Sequence, residues 1–268
     1  MLDHYLEKWH LTPDGPVVTT SSSQLFPVLS QGRPAMLKLT EDAEERHGGA
    51  VMAWWDGGGA TPVLAFEEGA VLMARGADTL VSLVAQGKDE EATRIICQTA
   101  VALHQLRPTD PPACVVPLAS WFSPLEAVAR THGGLFAKSQ AAAERLLPNQ
   151  QEITVLHGDL HHENILDFGP SGWLAIDPKR VIGDRAFEYA ILFCDPDLGP
   201  SGVKVAGRPE IFARRVEVVC EAANLERGRL LCWILAWTGL SAAWTLEDGG
   251  EITIESVIGA MAAAALDV

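Results

Sequence analysis

Positive charge is scarce in this chain. Twenty lysines and arginines face 35 aspartates and glutamates among 268 residues, a formal net charge of −15. That balance argues against nucleic acid or an anionic membrane surface as a main partner, and it favours cationic ligands, which the summed field attracts. Cysteine is sparse too. Cys97, Cys114, Cys194, Cys220 and Cys232 are odd in number and no pair has CxxC spacing. A reduced, cytoplasmic setting is therefore expected, without a disulfide framework or a zinc site. The opening MLDHYLEKWH carries early acids and no apolar core, so no signal peptide is expected. The most apolar stretch, 230–244, is short for a bilayer and interrupted by small and polar residues; it predicts a buried helix. Internal repeats and long low-complexity linkers are also missing. With 48% hydrophobic residues, the chain can bury a sizeable core in one large domain or two lobes.

What is present has an order. Residues 17–20 and 25–29 read as strands around the polar turn Ser21-Ser22-Ser23-Gln24, and AMLKL at 35–39 reads as a third strand holding Lys38. A helix is predicted over 41–55, stopped by DGGG at 56–59. Apolar runs at 62–66 and 70–73 predict a hairpin around Glu67-Glu68-Gly69. Beyond Gly76 the pattern becomes helical. Ile95, Ile96, Thr99, Leu103 and Leu106 mark a helix over 90–106. Ser123-Pro124-Leu125-Glu126 predicts a helix start with the serine as cap. A strand is expected at 153–156 and a hairpin over 164–177 turning at 169–172. Asp184 is expected to cap a helix starting at Arg185, and the remainder reads as mostly helix. A strand-rich first quarter before a helix-rich remainder predicts an α+β protein of two lobes.

The segment HGDLHHENIL at 157–166 carries the chemistry. It offers a carboxylate, Asp159, and a carboxamide five residues on, Asn164. The apolar strand 173–176 then delivers a second acid, Asp177. Phosphoryl transfer needs these parts: a carboxylate to orient a hydroxyl and take its proton, and a carboxamide with another carboxylate to hold Mg²⁺ on nucleotide phosphates. The protein kinase catalytic loop uses the same Asp-to-Asn spacing.

The string HGDLHHEN resembles the HGDxHxxN signature of aminoglycoside phosphotransferases. More narrowly, the chain is similar to the aminoglycoside and hydroxyurea resistance kinases, a group that includes streptomycin 6-kinases. PAMLKLT, AVMAWWDGGGA, WLAIDP, GDRAFEYA and WTGLSAAW resemble further stretches of that family, and together they span most of the chain. The resemblance implies a protein-kinase-like two-lobed fold. A small β-rich N-lobe of about five strands and one helix (1–72) would join through a hinge (73–76) to a larger, mostly helical C-lobe (77–268). It implies ATP and Mg²⁺ as cofactors, a monomer, and a small cationic acceptor: streptomycin at the 6-hydroxyl of its streptidine ring. Hydroxyurea, a sugar, an amino alcohol, or a nucleotide-binding regulator without transfer activity are the alternatives.

Residue by residue, the resemblance makes Asp159 the general base, Asn164 and Asp177 the Mg²⁺ ligands, and Lys38 the contact to the α and β phosphates. Glu45, or else Glu44, would pair with Lys38. Ser22 lies in the turn that replaces a glycine-rich phosphate loop, and backbone groups of Met73 and Arg75 would bind adenine. For a guanidinium-bearing acceptor the helical part offers Asp195, Asp197, Glu247 and Asp248, with Trp233, Trp237 and Trp244; the last two share a helix face. His161 is expected to brace the loop rather than bind zinc, and His104 to be a packed helix residue; Lys179 could reach the transferred phosphate, but is expected to be solvated.

Overall fold

A computed structural model of the chain describes residues 1–20, 22–42 and 45–268. Ser21 of the expected turn, and Glu44, the other candidate partner of Lys38, lie outside the described residues. The chain begins with a helix that the reading above missed, α1 (Leu2–Lys8), although Leu2, Tyr5, Leu6 and Trp9 have helical spacing. Six strands follow among the described residues: β1 (Leu11–Pro13), β2 (Val18–Thr19), β3 (Ser23–Ser30), β4 (Arg33–Thr40), β5 (Val63–Glu67) and β6 (Ala70–Ala74). They form one antiparallel sheet in the order β1-β3-β4-β6-β5, with β2 also paired to β3. Between β3 and β4 the turn is only Gln31-Gly32, both with positive φ (51° and 75°). Such a turn matches strand twist and pins the register Ser30↔Arg33.

Alternation along β4 divides the two sides of the sheet. Ala35, Leu37 and Leu39 join Val28, Ala70 and Leu72 in a core covered by Leu2, Tyr5, Leu6 and Trp9. Met36 and Lys38 look the other way, toward α2 (Gly48–Trp55). The helix predicted over 41–55 is shorter than expected, preceded by a single 3-10 turn at Glu45–His47. Packing explains its glycines: a Cβ on Gly49 would stand 2.4 Å from Val71 and 2.5 Å from Phe66. The helix stops at Asp56, left-handed at φ 49°.

The rest is mostly helical: α3 (Val81–Ala85), α4 (Asp89–Leu103), α5 (Ser123–Ala129), α6 (Leu135–Leu146), α7 (Arg185–Glu188), α8 (Pro209–Ala223), α9 (Arg227–Glu247) and α10 (Ile254–Ala265). Five short strands interrupt them. The hairpin of β9 (Ile165–Asp167) and β10 (Trp173–Ala175) turns at Gly169–Ser171, near the expected place. Strand β11 (Val181–Asp184) pairs antiparallel with β8 (Ile153–Leu156) and parallel with β7 (Val116–Pro117). Asp184 caps α7 as expected, accepting from the Ala186 amide at 2.9 Å. Two expectations are corrected. Helix α4 stops at Leu103, leaving Leu106 99% exposed. Ser123 does not cap α5; a 3-10 turn (Leu118–Phe122) leads directly into it, so Ser123 is already helical.

Helix α9 has 21 residues, longer than 230–244 suggested, and by length and composition it could cross a membrane. Here 78% of its apolar window is buried, packed against α5, α6, α7, α8 and α10. Trp233 and Trp237 meet Phe187 edge to face at centroid distances of 5.4 and 5.8 Å. Burying an aromatic of this size contributes about 2–3 kcal/mol. This core fixes α7, whose last residue organises the site.

Candidate active site

The loop after β8 is held from behind. Glu188, fully buried at the end of α7, accepts from the backbone amides of His157 (2.6 Å) and Gly158 (2.9 Å), and lies 3.2 Å from His104 Nε2. Burial pushes its carboxyl up, but His104 and these bonds outweigh burial and hold it below the usual range. His157 Nδ1 accepts from the Asp159 amide (3.3 Å), so Nε2 carries the proton and donates to the Ile176 carbonyl (2.7 Å). Burial depresses its pKa, keeping that ring neutral. The Lys179 amide donates to the His157 carbonyl at 2.6 Å. The loop 157–159 and the strand leading to Asp177 are thereby clamped together. Gly158 (φ +77°) sits where a Cβ would meet Trp121 at 2.8 Å and Val181 at 2.9 Å, so a side chain is excluded.

Asn164 turns its amide onto Asp159, donating to the backbone carbonyl (2.8 Å) and to Oδ2 (3.2 Å). Its Oδ1 is thus available to a cation. Asp177 adopts φ +61°, unusual for a residue other than glycine and common at functional sites. Across the cleft Lys38 donates to Asp177 and pairs with Glu45 at 2.6 Å, the side chains of Lys38 and Glu45 being 11% and 14% exposed. Ser22 and Ser23 hydroxyls donate to Glu45 at 2.8 and 2.7 Å. Burial raises the Glu45 pKa, but Lys38 and the two serines outweigh it and hold the carboxyl at about 2. The turn carrying Ser22 is thus tied to the lysine's partner.

Asn164 and Asp177 are hard oxygen donors, and a set of two protein ligands suits Mg²⁺, which takes its remaining oxygens from phosphates and water. Among the described residues no group of three or more His, Cys, Asp or Glu side chains converges as a metal cage.

Other expected site residues land elsewhere. Met73 lies inside β6, paired to β4 and β5 at once, and its side chain joins Met52 and Val71 in the apolar wall behind Lys38. The Arg75 amide donates to the Pro34 carbonyl (3.4 Å) and its guanidinium pairs with Asp14. Neither amide is left for adenine in this arrangement, because sheet pairing persists to the end of β6. Asp197 Oδ1 accepts from the amides of Val205 (2.7 Å) and Ala206 (2.8 Å), bracing its own loop. Trp237 is 5% exposed and Trp233 fully buried, so both are core. Glu247 and Asp248 sit exposed at the end of α9.

Asp195 does reach the loop. It is buried, with Oδ1 3.4 Å from His161 Nδ1, and His161 Nε2 lies 3.5 Å from Asp159 Oδ1. Burial lowers the His161 pKa, but Asp195, Asp159 and Glu163 override it and raise it overall. Trp244 is half-buried and meets Trp121 edge-on at 5.7 Å, and it is Trp121 that lies against Gly158. Sequence reasoning missed Trp121 and Glu188, for which only the position of Glu188 four residues after the Asp184 cap was a signal. It also expected a solvated Lys179. In the fold Lys179 lies among Glu45, Asp159 and Asp177. His104 does more than pack, since it meets Glu188.

A loop carboxylate beside an amide-and-acid pair, facing a lysine–glutamate ion pair beneath an antiparallel sheet, defines a two-lobed phosphotransferase of the protein-kinase-like class. Within that class the chain belongs to the aminoglycoside/hydroxyurea antibiotic resistance kinase family, whose profile matches residues 8–249. It is 45% identical to a streptomycin 3''-kinase of Klebsiella pneumoniae, over 98% of this chain and 100% of that protein. It is 28% identical to a streptomycin 6-kinase of Streptomyces griseus, over 91% of this chain and 81% of that protein. A crystal structure of a thermostable aminoglycoside phosphotransferase mutant, in ternary complex with ADP and hygromycin B, superposes with a TM-score of 0.66 at 14% identity, covering 99% of this chain and 97% of that one.

Proposed function

We propose that this kinase transfers the γ-phosphoryl group of ATP to a hydroxyl of streptomycin. The observation that carries the reading is the convergence of Asp159, Asn164 and Asp177 opposite Lys38. Asp159 orients the acceptor hydroxyl and takes its proton. Lys38, steadied by Glu45, meets the α and β phosphates, and Ser22 lies beside them. Asn164 and Asp177 hold Mg²⁺, which when bound neutralises charge on the phosphates. The two lobes, 1–72 and 77–268, meet at the hinge 73–76, and adenine lies against that segment without using the amides of Met73 and Arg75, which the sheet already occupies. Asp195, with Trp244, faces the cationic acceptor. The enzyme works as a monomer in the cytoplasm, where ATP is available.

The acceptor position departs from the expectation drawn from sequence. The relative at 45% identity over nearly the whole chain is a 3''-kinase, and the 6-kinase stands at 28%. That difference favours the double-primed sugar over the streptidine ring. Mass spectrometry of streptomycin incubated with enzyme, ATP and Mg²⁺ tests both points. A gain of one phosphoryl group, with fragments placing it on that sugar, is expected. Phosphate on streptidine would reverse the position; no gain, with phosphate on hydroxyurea instead, would remove the streptomycin reading.

A further inference from the structure

One cation in the cleft belongs to no single partner. Lys179 Nζ lies 3.6 Å from Glu45 Oε1, 3.8 Å from Asp177 Oδ2 and 3.9 Å from Asp159 Oδ2. All three distances exceed a hydrogen bond. Lys38, by contrast, is bonded directly to both Glu45 and Asp177. The Lys179 backbone is fixed, since its amide donates to His157 and the buried Pro178 precedes it. Its Cβ packs beside Gly158, 3.3 Å from where a Cβ on that glycine would stand. The stem is therefore anchored, while the ammonium, on a side chain 36% exposed, faces the cleft.

Its position matters more than its pairing. A lysine that only stabilised the fold would settle against one carboxylate at hydrogen-bond distance. Lys179 instead lies between the acid assigned as base and the acid assigned to the metal. A phosphoryl group passing from nucleotide to acceptor crosses that interval, and its three equatorial oxygens carry negative charge as it does.

We propose that Lys179 is a catalytic residue whose ammonium binds the oxygens of the phosphoryl group during transfer; this rests on the kinase reading above. In the step, the acceptor oxygen forms a bond to the γ phosphorus as the bond to the β-γ bridging oxygen breaks. The electron pair of the broken bond leaves with ADP, and the hydroxyl proton goes to Asp159. Lys179 keeps its three protons and donates hydrogen bonds only. The carboxylates hold it in the resting cleft and release it as phosphate arrives, so its charge acts where negative charge develops.

The test compares the wild type with Lys179→Met and Lys179→Arg. Calorimetry measures affinity for Mg-ADP alone and for Mg-ADP with aluminium fluoride, which stands in for the phosphoryl group in flight. Turnover with streptomycin gives kcat and KM for ATP. Affinity for Mg-ADP alone is expected to stay within about threefold in both variants. Tightening by fluoride should be lost by Lys179→Met, with kcat down ~10²–10³-fold, and partly restored by Lys179→Arg. Full tightening together with kcat within threefold in Lys179→Met overturns the proposal while the kinase reading stands. Equal loss of affinity with and without fluoride also overturns it, marking a structural charge. A wild type that neither tightens with fluoride nor transfers phosphate sinks the kinase reading itself, and the proposal with it.

Discussion

Replacing Glu188 by glutamine removes one charge and almost no volume. The wild-type carboxylate accepts two backbone amides, from His157 and Gly158, and faces His104 Nε2. Glutamine retains one acceptor oxygen and turns an NH₂ group toward the remaining donors. One buried amide then loses its partner, at about 1–3 kcal/mol, and the surviving bonds lose their charge assistance, worth about another 1 kcal/mol. The sum is ~3 kcal/mol, within the 5–15 kcal/mol typical of a folded domain, so Glu188→Gln should still fold. Its effect on turnover follows from the chain: Asp159 is the next residue after Gly158. A loop displaced by ~1 Å loses about 10²-fold in rate. Urea unfolding should show a lower midpoint with an unchanged m value, and kcat should fall ~10–100-fold while affinity for Mg-ADP persists. A midpoint corresponding to less than ~1 kcal/mol of destabilisation, with wild-type kcat, would refute the claim that Glu188 holds the loop.

Asp159→Asn should lower kcat ~10²–10⁴-fold without changing calorimetric affinity for Mg-ADP; near-normal turnover would eliminate it as the base. Glu45 titrates at about 2 in the fold against 4.5 ordinarily, so its contribution, at most ~3 kcal/mol, is complete above pH ~4.5 and disappears as pH falls toward 2. Glu45→Gln should therefore flatten the acid side of a plot of urea midpoint against pH; an unchanged slope between pH 5 and 3 would contradict it. In Gly239→Ala the new Cβ would stand 2.2 Å from Ser139 Cβ, where α9 crosses α6, and overpacking should lower stability by ~1–3 kcal/mol. Adding Ser139→Gly should restore much of the lost melting temperature, and no restoration would place the strain elsewhere.

Short-range features were legible because their physics is local. The hairpin of β9 and β10 follows from two apolar runs around Gly169, Pro170 and Gly172, and the Asp184 cap follows from a small acceptor before a helical pattern. Two lobes follow from strand-like texture giving way to helical texture at Gly76. Periodicity shows which face of a helix is apolar but not what covers it. For that reason the sequence offers Trp237 as a candidate ligand contact, whereas in the fold Phe187 and Trp244 pack against it. Helix ends were misjudged at Leu106 and Ser123, where tertiary contacts and a 3-10 turn outweigh propensity.

The acids and the amide between 157 and 177 are close in sequence, and the strand pairing of β9 with β10 suffices to bring Asn164 and Asp177 near one another. By itself, then, the sequence determined the fold class and the loop with its Asp159, Asn164 and Asp177. Tertiary structure alone decided that Lys38 meets Asp177 from 139 residues away, that Glu188 carries the loop, and that Lys179 stands among three carboxylates. Those contacts join segments with no shared period or turn. They form only when burial of the apolar faces of β4, α2, α7 and α9 brings the two lobes and their charges together.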